Sequence, residues 1–163
     1  MTMQMKIDPK EVQRLRTETN AGVMDCKRAL EDASGDFDKA KALLRERGLA
    51  SVAKKSGREA NEGLVASYIH AGGRVGAIVL IASETDFVAR SEEFQKLAQE
   101  VAMQVAAMSP KSVDELLAQA YIRDASKTIK DLVTTVAAST KENVHVRRFQ
   151  RFALGEAEPE AES

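Results

Sequence analysis

The chain has 163 residues, 44% hydrophobic and 30% charged, the balance of an ordinary soluble globular protein with one domain or a small one beside a medium one. With 24 Lys and Arg against 25 Asp and Glu, no overall field argues for nucleic acid or a membrane surface. A single cysteine excludes an internal disulfide framework, two histidines argue against a His/Cys metal site, and no apolar run approaches the ~18 residues of a membrane span. The opening MTMQMKIDPKEV lacks the apolar core of a secretory leader, so a cytoplasmic protein is expected.

Residues 1–50 read as three short helices. Asp8 before Pro9 is an N-cap with proline at the first helical position, and Val12 and Leu15 form one apolar side. "TNAG", Thr19 to Gly22, composes a turn. Val23, Cys26, Leu30 and Ala33 then recur at helical spacing until Gly35, a C-terminal stop. Asp36 caps a third helix whose Phe37, Ala40 and Leu44 face one way, and Gly48 is expected to end it. Helices this short bury little surface, so the module is marginal on its own. Residues 51–63, SVAKKSGREANEG, mix charges of both signs with glycine and read as a linker.

From residue 64 the texture changes. Leu64–His70 and Arg74–Ser83 are strand-like, and "AGG" between them makes a hairpin turn. The second run is apolar at nearly every position, which predicts a central strand covered on both faces. Ser91 caps a helix with Phe94, Leu97, Val101, Val105 and Met108 as its stripe, and Pro110 follows its end. Ser112 to Glu115 has capping-box spacing and opens a short helix carrying Leu116 and Leu117. A weaker stretch, Tyr121–Lys127, precedes a helix with Ile129, Leu132, Val133 and Val136. Asn143–Leu154 reads as a last strand whose alternation slips between Val146 and Phe149, as at a bulge. Residues 156–163 are acidic, lack an apolar anchor and read as a disordered tail. The order of elements predicts an α+β core over 64–155, a three-stranded antiparallel sheet packed by helices.

Catalytic chemistry finds little to hold. No Gly-rich phosphate loop is present, His70 and His145 lie in strand-like runs without a nucleophile elbow, and Glu92 and Glu93 open a helix, where acidic side chains suit the dipole. Arg147, Arg148 and Arg151 are the one basic concentration, but only Phe149 is interleaved with them, so they read as a solvated strand face. Neither an enzyme, nor a cofactor, nor direct nucleic-acid binding is expected. "SETDFVARSEEF", residues 83–94, stands apart because it places Phe87 beside Asp86 in a turn. The residues alone allow a Phe87 folded under the sheet with Asp86 capping, or one held out for another protein.

Four stretches in order resemble the bacterial elongation factor Ts family, the guanine-nucleotide exchange factors of the GTPase elongation factor Tu. They are LRTETNAGVMDCKRALEDASGDFDKA (15–40), LLRERGLASVAKKSGREANEGLVASYIH (43–70), GRVGAIVLIASETDFVAR (73–90) and ENVHVRRFQRFALG (142–155). The resemblance implies a three-helix ubiquitin-associated-like module over 1–50, joined to the α+β core. It further implies that Thr85, Asp86, Phe87 and Val88, in the TDFVA signature, enter the partner's G domain near the nucleotide's Mg2+ and phosphates. Phe87 would fill an apolar slot between partner helices, and Asp86 would bring a carboxylate towards the metal. Arg16, Val23 and Met24 match the positions with which the module touches the far side of that G domain. Val23 stands where many members have Met, which implies a smaller contact.

Two departures from the family pattern bear on the fold. Asn20 replaces a commoner Gly, and Asn tolerates positive φ. The segment joining Met108–Ala120 to Tyr121–Val133 is far shorter than usual, and no second copy of the core follows. Short members of the family dimerise, one route using a Cys of the last strand where this chain has Gln150; a non-covalent homodimer covering the open sheet edge is the form left to it. The competing reading, a ubiquitin-associated-like ribosome or nascent-chain binding protein without exchange activity, leaves TDFVAR without a role.

Overall fold

The computed structural model describes residues 6–157. Residues 1–5 of the expected helical module and 158–163 of the expected tail lie outside the described residues. Three helices come first, α1 (Pro9–Thr19), α2 (Val23–Asp32) and α3 (Phe37–Lys55). The Asp8 carboxylate accepts the Lys10 N–H at 2.9 Å to cap α1, and Asn20 closes it with a φ of 56°. Leu15, Cys26, Ala29, Leu30, Ala33 and Ala40 form a small core between the three. Val23 is not part of it. As the first residue of α2 it lies past the edge of that core and is 45% exposed.

The third helix does not end at Gly48 but runs on to Lys55, through the first part of the stretch expected as linker. The reason is tertiary. A Cβ at Gly48 would meet Thr134 Cγ2 at 3.7 Å and Ala138 Cβ at 3.9 Å, so the bare glycine surface lies against a later helix. That packing outweighs the cost of roughly 1 kcal/mol that glycine imposes on a helix interior. Val52 packs on the core beyond, and Arg45 pairs with Asp131 at 2.9 Å. The irregular connection is therefore only residues 56–61.

The remaining elements are β1 (Glu62–Ile69), β2 (Val75–Ser83), α4 (Asp86–Ala89), α5 (Glu92–Met108), α6 (Val113–Ala118), β3 (Ala120–Tyr121), β4 (Asp124–Thr128), α7 (Ile129–Thr140) and β5 (His145–Ala153). The architecture is α+β. Strands β1, β2 and β5 form a three-stranded antiparallel sheet with β2 in the centre. Gly63 is required where β1 enters it: its φ is 143°, and a Cβ there would stand 2.0 Å from the Ile81 carbonyl oxygen. Opposite β5 the register shifts between Leu80 and Ile81, which pair with Arg148 and Val146, so Arg147 is the extra residue of the bulge that the broken alternation predicted.

Ala66, Ala77, Val79, Ile81 and Val146 of the sheet meet Phe94, Leu97, Val101 and Val105 of α5 and Ile129, Val133 and Val136 of α7 in one buried core. The expectation that β2 is covered on both faces is wrong. Its apolar run packs the helices with alternate residues, while Ile78 on the other face is 45% exposed, among the exposed Val65, Ile69 and Phe152. Among the described residues, helices lie on one side of the sheet only. A shallow depression of about 330 Å³ on the open side is lined by Val65, Ile78, Leu80, Arg148 and Phe152 among others.

The weak stretch 121–127 proves to be part of a second, two-stranded sheet of β3 and β4. The fully buried Gln104 side chain supports it: its amide donates to the Ala120 carbonyl at 3.1 Å, and its carbonyl accepts the Ile122 N–H at 3.1 Å. Tyr121 gives its hydroxyl to Glu100, and burial together with that carboxylate pushes its pKa up to about 12. After β5, Glu156 pairs with Arg151 at 2.6 Å, so the first residue of the segment expected as a disordered tail is held by an ion pair.

Candidate functional site

The TDFVA stretch is one turn of helix. Thr85 is its N-cap, with its hydroxyl oxygen accepting the Val88 N–H at 3.3 Å. Successive residues of a helix point about 100° apart, so four residues in one turn must split between inside and outside. Val88 and Ala89 go into the core, whereas Asp86 and Phe87 go out. Phe87 is 81% exposed, more than any other large hydrophobic side chain among the described residues. Val88, expected beside it in the contact, is buried and serves to seat the turn. The Ser91 hydroxyl donates to the Val88 carbonyl at 2.7 Å and accepts the Phe94 N–H at 3.3 Å, which ends α4 and starts α5 in one residue. Asp86 pairs across the turn with Arg90 at 3.2 Å, both side chains well exposed.

The loop entering this turn is held by several hydrogen bonds. The Glu142 carboxylate accepts the N–H groups of Glu84 and Thr85 at 3.1 and 3.0 Å, and the Thr85 hydroxyl at 2.7 Å. The Ser83 hydroxyl, fully buried, donates to the Thr85 carbonyl at 2.9 Å. Sequence reasoning missed Glu142, which is 57 residues from Thr85 and looks like an ordinary loop carboxylate.

Of the second expected set, Arg16 is exposed on α1, and Val23 and Met24 open α2, the latter 56% exposed. The turn before them is fastened to the core near Phe87. Asn20 Nδ2 donates to Glu93 Oε1 at 3.1 Å, and the same carboxylate accepts the Ser139 hydroxyl at 2.8 Å. Glu93 lies in the first turn of α5, directly after α4. The turn that leads into the second expected set is thus bonded to the helix that follows the first. Glu93, read from sequence as a dipole-favouring acid, is the bracket between them.

Elsewhere among the described residues the histidines and the cysteine stand apart from one another. His145 is held below its ordinary pKa by burial and by the charge of Arg147, and Cys26 is a buried thiol pushed up by burial. His70 Nδ1 lies 3.0 Å from the Tyr68 hydroxyl. Among the described residues no cluster of His, Cys, Asp and Glu could hold a metal ion, and no helix is long and apolar enough to cross a membrane.

The geometry is that of an α+β protein with an aromatic side chain, Phe87, held out on a surface turn, and with a second exposed apolar pair, Val23 and Met24, on its helical unit. Comparison with known proteins is specific. The family model described as Elongation factor TS matches residues 84–159. The Elongation factor Ts of Caldanaerobacter subterraneus subsp. tengcongensis is 42% identical over 92% of this chain and 98% of its own. That of Anaeromyxobacter dehalogenans strain 2CP-1 is 42% identical over 93% of this chain and 90% of its own. That of Thermosynechococcus vestitus is 41% identical over 93% of this chain and 66% of its own. The chain belongs to the elongation factor Ts family of translation elongation factors. The alignment with the Caldanaerobacter protein spans 195 positions, more than the chain's 163 residues, so that relative carries residues this chain lacks.

Proposed function

We propose that the chain is a non-enzymatic guanine-nucleotide exchange factor that binds elongation factor Tu carrying GDP and promotes GDP release, working in the cytoplasm and without contacting nucleic acid. The observation that carries this reading is the outward Phe87 on a turn whose next two residues are buried. Phe87 enters an apolar slot of the G domain, and Asp86 approaches the Mg2+ and phosphates. Mg2+ is held through few protein ligands plus phosphate oxygens, so a small displacement of its shell weakens nucleotide binding strongly. Linkage then makes nucleotide and exchange factor weaken each other by the same factor. A factor of ~10³ corresponds to about 4 kcal/mol, within reach of a buried Phe plus a disturbed metal shell. The exposed Asp86–Arg90 pair offers little resistance, because surface i,i+4 pairs are worth about 0.5 kcal/mol or less. The deciding experiment adds catalytic amounts of the chain to elongation factor Tu loaded with labelled GDP. A release rate that does not rise would overturn the proposal.

The three-helix unit is read as ubiquitin-associated-like, docking on the far side of the same G domain through Arg16, Val23 and Met24. Their exposure supports this. Arg16→Ala and Met24→Ala are expected to weaken binding to elongation factor Tu, measured by titration calorimetry, while leaving the thermal melt unchanged. Full affinity in both variants would show that the unit docks by other residues.

A non-covalent homodimer is the further partner of this reading. The open sheet face with Val65, Ile69, Ile78 and Phe152, together with the unpaired outer edges of β1 and β5, supports it. Sedimentation equilibrium is expected to give the mass of two chains, and Ile78→Asp that of one. A single-chain mass for the unaltered protein at micromolar concentration would rule the dimer out.

A further inference from the structure

We infer that Glu142 is a positioning residue, which holds the Glu84–Val88 turn in its docking-ready form before any partner arrives. The inference deepens the wedge reading and rests on it for its functional consequence. An aromatic side chain exposed on a four-residue helix has no packing of its own to keep it in place. Helices this short do not persist without tertiary support, since nucleating one turn costs more than its single bond returns. Val88 and Ala89 seat the turn on the core, and the polar support at its N-terminal end comes from outside the turn. One carboxylate at the end of α7 takes two backbone N–H groups and one hydroxyl from Glu84 and Thr85. That hydroxyl in turn accepts the Val88 N–H, so Glu142 orients the N-cap that orients the helix.

The arrangement is reciprocal, which is why it is specific. While Glu142 serves the backbone of Glu84 and Thr85, the Glu84 carboxylate accepts the Asn143 N–H at 2.7 Å and faces Arg58 at 3.5 Å. Asn143, itself 5% exposed, donates its side-chain amide to the carbonyls of Arg58 at 2.7 Å and Ser56 at 3.4 Å. Two loops far apart in sequence thus exchange carboxylates, and the connection after α3 is tied to the same knot. Charge-assisted bonds of this kind are about twice as strong as neutral ones. Their joint product is a fixed backbone under Phe87. A backbone already ordered loses less entropy on docking than a mobile one.

The test uses the full chain and follows two readouts, amide hydrogen exchange of the free protein and GDP release from elongation factor Tu. In Glu142→Ala, amides 84–88 are expected to exchange at least tenfold faster while those of α5 and β2 keep their protection. GDP release is expected to fall roughly tenfold, the scale of re-ordering one backbone residue. Glu142→Gln, which keeps the oxygen that accepts both N–H groups, restores most of both. Glu142→Asp, which retracts the carboxylate but keeps the charge, gives the intermediate result should the alanine variant not fold. In the Phe87→Ala background, Glu142→Ala should add no further loss, because it acts through that side chain. Unchanged amide exchange at 84–88 overturns the inference, as does loss of protection throughout the chain in all three variants, or full GDP release despite a loosened turn. A Phe87→Ala protein that exchanges normally would sink the wedge reading instead, while the amide readout still decides whether Glu142 holds the turn.

Discussion

Phe87→Ala is expected to leave the thermal melt nearly unaltered and to cut GDP release from elongation factor Tu by an order of magnitude or more. The side chain is 81% exposed, so its removal opens no cavity and uncovers no core surface. Its loss is felt only where a partner would bury it, and hot-spot aromatics at the centre of an interface are worth ~2 kcal/mol or above. Asp86→Asn, which changes charge at almost constant shape, should lose less, because the aromatic body supplies most of the buried area. A melt lowered as a buried Phe would lower it, with release intact, would mean that Phe87 folds inward in solution.

Phe94→Ala, seven residues on, should do the reverse. Phe94 is fully buried, in one core with Leu97, Val101 and the helix-facing residues of β2. Truncating a core Phe costs about 3–5 kcal/mol, from lost transfer energy plus the cavity left behind. For a chain of this size that is a fall of roughly 10 °C or more in the melt. Below the new transition the remaining folded protein should still accelerate GDP release, since Thr85–Phe87 and their Glu142 anchor are untouched. A melt shift of only a degree or two would show that the site collapses around the deletion. Two phenylalanines one short loop apart are thus separated by which assay each one moves.

How far the sequence could be read depended on whether the cause was local. Asp8–Pro9, the Ser91 and Ser112 caps and the Asn20 turn are legible because the signal and the bond it makes lie within four residues of each other. The strands and the bulge at Arg147 were likewise visible, as alternation and its interruption. Gly48 misled for the opposite reason: the local cost of glycine was plain, and the α7 surface that offsets it was not. β2 misled because an unbroken apolar run looks the same whether its second face meets a helix or the open. The hairpin of β3 and β4 depends on Gln104, a polar residue on an apolar helix that gave no sign of its three partners. At the candidate site the TDFVA motif announced itself, but two carboxylates that build it, Glu142 and Glu93, act over long sequence separations.

The unbroken α3 has a mechanical meaning. A helix of 19 residues lies on α7 with Arg45 against Asp131, and the end of α1 meets α5 where Asn20 donates to Glu93, so the first third of the chain touches the core at two places as well as joining it through the backbone. If Met24 and Phe87 dock as proposed, those contacts would narrow the span between them before any encounter, like the gap of a calliper. Once one jaw touches a surface of matching width, the other closes at a local concentration that a flexible tether, sampling a larger volume, would dilute. Two modest contacts can in this way grip as one, and a surface whose two footholds are spaced differently is refused without a single repulsive side chain.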